Sequence, residues 1–187
     1  HELRIPLATL KHHLGIMKKD SADEIDISLE AVASMEQMLN DLLDYFRLDN
    51  GKETIMVKPF TVKGLGTRLA SEFAGLADKK GLVLTVESSS DDIVLGDKEK
   101  IQRIVRNLLS NALKFTDAGS VTLRLSYEGG MLFISVHDTG TGMDDEEQQQ
   151  IFDAFRQLSN AATKDGFGLG LSIVKNLVGM MDGKIEL

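Results

Sequence analysis

The stretch Ile101–Thr116, read as Ile-Gln-Arg-Ile-Val-Arg-Asn-Leu-Leu-Ser-Asn-Ala-Leu-Lys-Phe-Thr, constrains this chain more than any other part of it. At about 100° per residue, Ile101, Ile104, Val105, Leu108, Ala112 and Phe115 fall on one flank of a helix, which predicts a core-facing side. Asn107, Asn111 and Lys114 follow one another at helical spacing, so they stack along the neighbouring flank. Asn competes for backbone hydrogen bonds and is a middling helix former, so two of them a turn apart beside a core stripe call for a reason. An amide oxygen is a suitable single ligand for Mg²⁺, which shares its sites among one or two protein groups, waters and phosphates. A Lys one turn further on meets phosphate as a point charge. The alternative for the same three side chains is a polar helix edge turned to water, and this helix alone does not decide between them.

Composition narrows the choice of partners. The 187 residues, 42% hydrophobic and 27% charged, have room for one sizeable core and a smaller module. A formal charge of -8 speaks against binding to a nucleic-acid backbone, which needs clustered Lys and Arg, and suits no anionic membrane surface. No apolar run reaches bilayer length, and the start does not read as a signal peptide, so no membrane contact is expected from these residues. The absence of Cys removes disulfides, thiolate nucleophiles and Cys-based metal sites. The four His show neither His-x-x-x-His nor His-Glu-x-x-His spacing, so no His-built metal site is expected, and His12 and His13 read as surface residues.

The first fifty residues carry helical periods. Leu3, Leu7, Leu10, Leu14 and Met17 alternate spacings of four and three, which is a heptad seam. Lys18 to Ser21 interrupts it, with Asp20 or Ser21 available as a cap, and Ile25, Leu29, Val32, Met35, Leu39, Leu42 and Phe46 form a second stripe to about Arg47. Two such helices make a hairpin with one seam uncovered, which predicts a second copy and a homodimeric four-helix bundle. His1-Glu2 precedes Pro6, which removes a helix hydrogen bond and bends the axis; otherwise the pair reads as solvated polarity.

Asp49-Asn50-Gly51-Lys52-Glu53 ends the apolar period and contains a turn signal, dividing the chain into residues 1–50 and 51–187. Beyond it the pattern predicts a helix near 62–79, strands at 82–86 and 93–95, the Asn-bearing helix, and a strand pair at 121–127 and 131–136 around Glu128-Gly129-Gly130. A helix at about 170–181 and a strand at 184–187 complete the series. The expected fold class is α+β: an N-terminal antiparallel helical hairpin followed by an α/β sandwich with helices on one face of a mixed sheet.

Two glycine motifs flank the last part. Asp138-Thr139-Gly140-Thr141-Gly142-Met143 places a carboxylate at a strand end beside glycines that admit a flat ring, an arrangement able to accept a hydrogen bond from the exocyclic amine of adenine. A plain turn uses the same residues. Gly166-Phe167-Gly168-Leu169-Gly170-Leu171 sets alternating glycines before a helix whose free N–H groups attract phosphate. It is neither a Walker A loop nor a G-x-G-x-x-G turn. Between them, Asp144 to Asp165 is polar, carries Phe152 and Phe155, and reads as a lid.

His-Glu-Leu-Arg-x-Pro-Leu, Asn-Leu-Leu-Ser-Asn-Ala-Leu-Lys-Phe-Thr, Asp-Thr-Gly-Thr-Gly-Met, Ile-Phe-Asp-Ala-Phe and Gly-Phe-Gly-Leu-Gly-Leu occur in that order and at separations that resemble the catalytic core of sensor histidine kinases of two-component systems. The resemblance covers nearly the whole chain. It implies a dimerisation and histidine-phosphotransfer hairpin, then an ATP-binding domain of the kind shared with gyrase, certain chaperones and mismatch-repair ATPases. It makes His1 the phosphoacceptor and Glu2 the neighbour that orients the imidazole and takes its proton. Asn111 is matched to the Mg²⁺ ligand, Asn107 and Lys114 to residues around the phosphates, and Asp138 to the adenine-reading carboxylate with Gly140 and Gly142 beside the base. Gly166, Gly168 and Gly170 correspond to the phosphate-side loop, Phe152 and Phe155 to the lid's aromatic support, and Phe115 and Leu171 join the ATP-binding set. ATP and Mg²⁺ are the implied cofactors, and a response regulator the implied partner.

The sequence departs from that pattern at Ile5, where the family usually has Thr or Asn placed to position water; weak phosphatase activity with transfer retained is the expectation. The family sheet usually continues past Leu187 through a Gly-rich turn and a strand, so the C-terminal side reads as truncated, and helical turns normally precede the phosphoacceptor. The expected location is cytoplasmic, with any membrane anchor outside these residues. A non-enzymatic nucleotide-binding signalling module, and an ATPase sharing only the nucleotide fold, are the competing readings.

Overall fold

The computed structural model describes residues 39–48, 53–88, 91–156 and 168–187, together with the single positions Val32 and Met35. His1, Glu2, Ile5, the heptad seam, the turn near Ser21, the boundary segment at 49–52 and Gly166 lie outside the described residues. Residues 39–48 are helical and are called α1 below. There follow β1 (Lys58–Thr61), α2 (Val62–Lys80), β2 (Val83–Ser88), β3 (Ile93–Gly96), α3 (Lys98–Phe115), β4 (Ser120–Glu128), β5 (Met131–Asp138), α4 (Asp145–Gln150) and α5 (Gly170–Met180).

Among the described residues the strands form two sheets. β1 and β3 pair antiparallel with Phe60 opposite Val94. β4 is the centre of a three-stranded sheet, parallel to β2 and antiparallel to β5, with the order β2-β4-β5. Gly129 and Gly130 both have positive φ (58° and 85°), the backbone that a two-residue hairpin of native twist requires. The expected mixed sheet is the β2-β4-β5 sheet, with β1 and β3 as a separate antiparallel pair, and residues 184–187 are not a strand. A strand exists by pairing, and among the described residues none pairs with this segment; its Ile185 packs instead against the α5 side of the core.

α2 starts where the Thr61 hydroxyl accepts from Gly64 N and ends at Gly81, whose φ of 66° turns the chain towards β2. Its Glu72 binds Arg106 of α3 through two hydrogen bonds of 2.6 and 2.9 Å, and its Lys80 reaches the Leu113 carbonyl at 2.7 Å. Both contacts join residues with nearly the same sequence offset, so α2 and α3 run parallel over the inner face of the sheet. Leu65, Leu69, Leu109, Leu113, Leu123 and Leu125 are fully buried between these layers. Each contributes about 1.5–3 kcal/mol by leaving water.

α3 departs from the expected stripe in an informative way. Leu108 and Phe115 are only half-buried, whereas Gln102, Leu109 and Leu113 are buried. The apolar arc is wider than one flank because it serves two clusters. Ile101, Val105, Leu109, Ala112 and Leu113 face the sheet and α2. Ile104 and Leu108 face Leu169, Ile173, Val174 and Leu177 around α5, together with Leu48 of α1.

Candidate nucleotide site

α3 is aligned at both ends by side chains that close its free backbone groups. At the start, Asp97 caps the helix by accepting from Lys100 N at 3.1 Å and also accepts from Met56 N at 2.9 Å, tying the segment before β1 to the helix. Lys100 completes this clamp, 3.3 Å from Asp97 and 3.0 Å from Glu53. Burial opposes the charge on Asp97, but the Met56 and Lys100 amides and the Lys100 ammonium outweigh it and hold the carboxyl below its usual range. Burial likewise opposes the charge on Lys100, and Glu53 with Asp97 overcomes it, raising its pKa.

Asn107, Asn111 and Lys114 stand half-buried along the exposed side of α3. Over the seven residues from Asn107 to Lys114 the helix rises about 10 Å at 1.5 Å per residue. The Asn107 amide donates to the Arg103 carbonyl at 3.1 Å, which leaves its oxygen turned towards the first residue of α5. A Cβ on Gly170 would lie 2.9 Å from Asn107 Oδ1 and 3.9 Å from Asn111 Nδ2. The two amides therefore meet the N-terminus of α5, whose first N–H groups have no side-chain cap among the described residues. Leu171, in that first turn, is half-buried. Lys114 places its ammonium over the Phe115 ring, 4.8 Å from the centroid.

The opposite end of α3 meets the other glycine motif. Asp138 closes β5, and its Oδ1 accepts from Gly140 N at 2.9 Å. Gly140 is pressed against the helix end: a Cβ there would stand 2.6 Å from the Phe115 carbonyl oxygen and 2.8 Å from Asp138 Oδ1. Gly142 has φ 68° with open space around it, so backbone conformation rather than crowding selects glycine. Thr139, not singled out from the sequence, fixes the turn: its N–H donates to the Ser120 carbonyl at 3.1 Å and its hydroxyl accepts from Ser120 N at 3.0 Å.

The base of the expected lid is also drawn together. Phe155 N donates to the Gly168 carbonyl at 3.0 Å, and Gly168, with φ 66°, lies so close to the Arg156 backbone that any Cβ would collide with it. Ahead of this pinch the polar stretch contains α4, which the sequence reading did not separate; Asp144 and Glu147 form its capping box. Phe152 is half-buried, while Phe155 is exposed and takes φ 64°, a strained conformation for an aromatic residue. Its ring meets Tyr45 of α1 edge-on at 5.8 Å. Asp44, the preceding residue, pairs with Arg103 at 2.5 Å. Sequence periodicity singled out Leu42 and Phe46 on this helix but not Asp44 or Tyr45, because their partners are distant in the chain.

Thus α3 joins the Gly170 turn at its Asn107–Asn111 side and the Asp138–Gly140 turn at its Phe115 end. Among the described residues, no three His, Cys, Asp or Glu side chains are gathered to hold a metal. A cation here would have to draw its ligands from an amide, phosphates and water.

This helix, held between two glycine turns above a mixed sheet, defines an ATP-binding domain. Residues 96–187 match the family described as histidine kinase-, DNA gyrase B-, and HSP90-like ATPase, and residues 1–51 match the His Kinase A (phospho-acceptor) domain. The chain belongs to the sensor histidine kinases, of which it is a catalytic core. Along its whole length it is 32% identical to the autoinducer 2 sensor kinase/phosphatase LuxQ of Vibrio harveyi and 31% identical to the sensor histidine kinase RcsC of Escherichia coli (strain K12). It spans 24% and 21% of those proteins. The crystal structure of full-length ShkA in complex with AMPPNP superposes with a TM-score of 0.73 at 31% identity, covering 97% of this chain and 40% of that one.

Proposed function

We propose that this chain is the catalytic core of an ATP-dependent protein-histidine kinase that phosphorylates itself on His1 and passes the phosphoryl group to an Asp of a response regulator. The observation that carries this reading is the double contact of α3, with Gly170 against Asn107 and Asn111 and Gly140 against the Phe115 carbonyl. One rigid helix thereby holds a phosphate-suited end and a base-suited end at a fixed separation. Phosphoryl transfer depends on such alignment and on charge neutralisation more than on covalent help from the protein.

In this reading Asp138 accepts from the adenine amine, with Gly140 and Gly142 giving the ring access to the backbone. Asn107, Lys114, Leu171 and the N–H groups following Gly168 and Gly170 receive the phosphates, Phe115 lines the site, and Phe152 and Phe155 brace the lid that includes Gly166. Asn111 would hold Mg²⁺, which when bound offsets phosphate charge and orients the terminal group. The unprotonated ring nitrogen of His1 forms a bond to the terminal phosphorus as the bond to the ADP oxygen breaks, and Glu2 takes the proton from the other ring nitrogen. A carboxylate oxygen of the regulator then displaces the imidazole.

Residues 1–50 serve as the dimerisation and phosphotransfer hairpin and residues 51–187 as the ATP-binding domain. The partners are a second copy of the chain and a receiver domain. ThkA, a histidine kinase of the same fold, has been crystallised with the response regulator TrrA. No helix among the described residues is long and apolar enough to cross a membrane, and the proposed location of this part is the cytoplasm. With Ile5 in place of a polar residue, dephosphorylation of the regulator should be slow, and Ile5→Thr should speed it.

The test is incubation of the full-length protein with γ-labelled ATP and Mg²⁺. Acid-labile, base-stable label that disappears in His1→Ala supports the proposal. ATP bound without label identifies a nucleotide-binding module instead, and steady hydrolysis without label identifies an ATPase that shares only the fold.

A further inference from the structure

We propose that Lys80 is a positioning residue for nucleotide binding, acting through the last turn of α3; this rests on the reading of that helix as the wall of the ATP site. A helix leaves its last four carbonyls without intrahelical partners, and in α3 these belong to Ala112, Leu113, Lys114 and Phe115. The Ala112 carbonyl accepts from Thr116 N at 3.0 Å and from the Thr116 hydroxyl at 2.7 Å. The Leu113 and Lys114 carbonyls accept from the Lys80 ammonium, at 2.7 and 3.4 Å. The Phe115 carbonyl faces Gly140 at the distance where any Cβ would clash.

Lys80 therefore supplies, from a different helix, the cation that a helix C-terminus favours. It is delivered to the turn that carries Lys114 and abuts the Asp138–Gly142 loop. Because Gly140 N is itself held by Asp138 Oδ1, a shift of the Phe115 carbonyl is passed to the base-reading carboxylate. Lys80 is also the final residue of α2, and the left-handed Gly81 that follows directs the chain away and leaves the side chain against α3.

Lys79 provides an internal control. It has the same charge in the same turn, and among the described residues it makes no hydrogen bond to α3. Binding of Mg-ATP to the full chain, and KM and kcat for autophosphorylation, should be compared for wild type, Lys80→Met, Lys80→Arg and Lys79→Met. Loss of the charge-assisted hydrogen bonds to the Leu113 and Lys114 carbonyls predicts a rise of about ten-fold in Kd and KM for Lys80→Met with kcat within about two-fold. Lys80→Arg should recover most of the affinity, and Lys79→Met should bind like wild type. Equal effects of the two Met variants would reduce Lys80 to bulk charge and overturn the proposal. So would unchanged affinity in Lys80→Met, or a joint fall of kcat and thermal stability that Lys80→Arg does not rescue. Failure of the wild type to bind Mg-ATP would overturn the nucleotide reading and this proposal with it, whereas wild-type binding beside an unaffected Lys80→Met would overturn this proposal alone.

Discussion

α3 is packed on two faces, and the two are built differently. Towards the sheet and α2, Val105, Leu109, Leu113, Val121 and Leu123 are fully sealed and aliphatic. On its other side α3 packs Ile104 and Leu108 against buried Leu169, Ile173, Val174 and Leu177 around α5, and meets α1 through buried Leu48, half-buried Leu42 and Tyr45 and the Asp44–Arg103 ion pair. Leu39, Leu43 and Phe46 of α1 remain exposed. The first face is aliphatic and sealed, whereas the part of the second that meets α1 is more polar and partly exposed. The helix that carries Asn107, Asn111 and Lys114 is thus sealed to the sheet by aliphatic packing and tied to α1 by a mixed apolar and polar contact.

Four substitutions grade that contrast. Leu109→Ala removes a sealed core side chain and should cost about 2–5 kcal/mol in chemical unfolding, with ATP binding lost in the same transition. Nucleotide affinity surviving in a markedly destabilised variant would show that the site does not depend on the sheet-side core. Asp97→Ala removes the cap of α3, the acceptor for Met56 N and a partner of Lys100, and should cost about 2–3 kcal/mol at neutral pH.

The pH dependence of that clamp has a definite sign. The Asp97 carboxyl lies below its ordinary value of 3.8 in the folded chain, so its contribution is complete above that value and disappears as pH falls through the lower folded one. Lys100 is raised above 10.5, so its contribution is complete below that value and disappears as pH rises through the higher folded one. Stability followed by urea titration across this range should therefore have a shallower acid-side slope in Asp97→Ala and a reduced alkaline one, since Asp97 also helps to raise Lys100.

Leu48→Ala addresses the α1 side and should cost about 2 kcal/mol, at the low end for a buried leucine because the site borders solvent. It should loosen α1, seen as faster hydrogen exchange over residues 39–48, without changing ATP affinity. A shared loss of affinity would mean that the two faces are energetically one. Asp44→Asn should have the smallest effect, below about 1 kcal/mol and diminishing with added salt, as expected for a partly exposed pair.

The motifs that carry chemistry lie in contiguous stretches, which is why they could be read without coordinates. Asn107, Asn111 and Lys114 share a face by helical spacing alone, and a strand followed by Asp138 and two glycines announces a turn. The short helix α4 escaped notice because six polar residues have no apolar period, although its Asp144–Glu147 capping box was present in the sequence. Residues 184–187 do not form the expected strand, because a strand needs a neighbour to pair with.

By itself the sequence determined the elements around α3, the two glycine turns and the family to which the chain belongs, since local spacing and backbone permissiveness are properties of adjacent residues. Only the tertiary structure decided that α3 has two buried faces, that Gly170 rests on Asn107 while Gly140 rests on Phe115, and that Lys80, Asp44 and Glu53 reach the helix from elsewhere. Those contacts join residues tens of positions apart. Their energies arise when close packing and desolvation bring the partners together, and neither exists before the chain has folded.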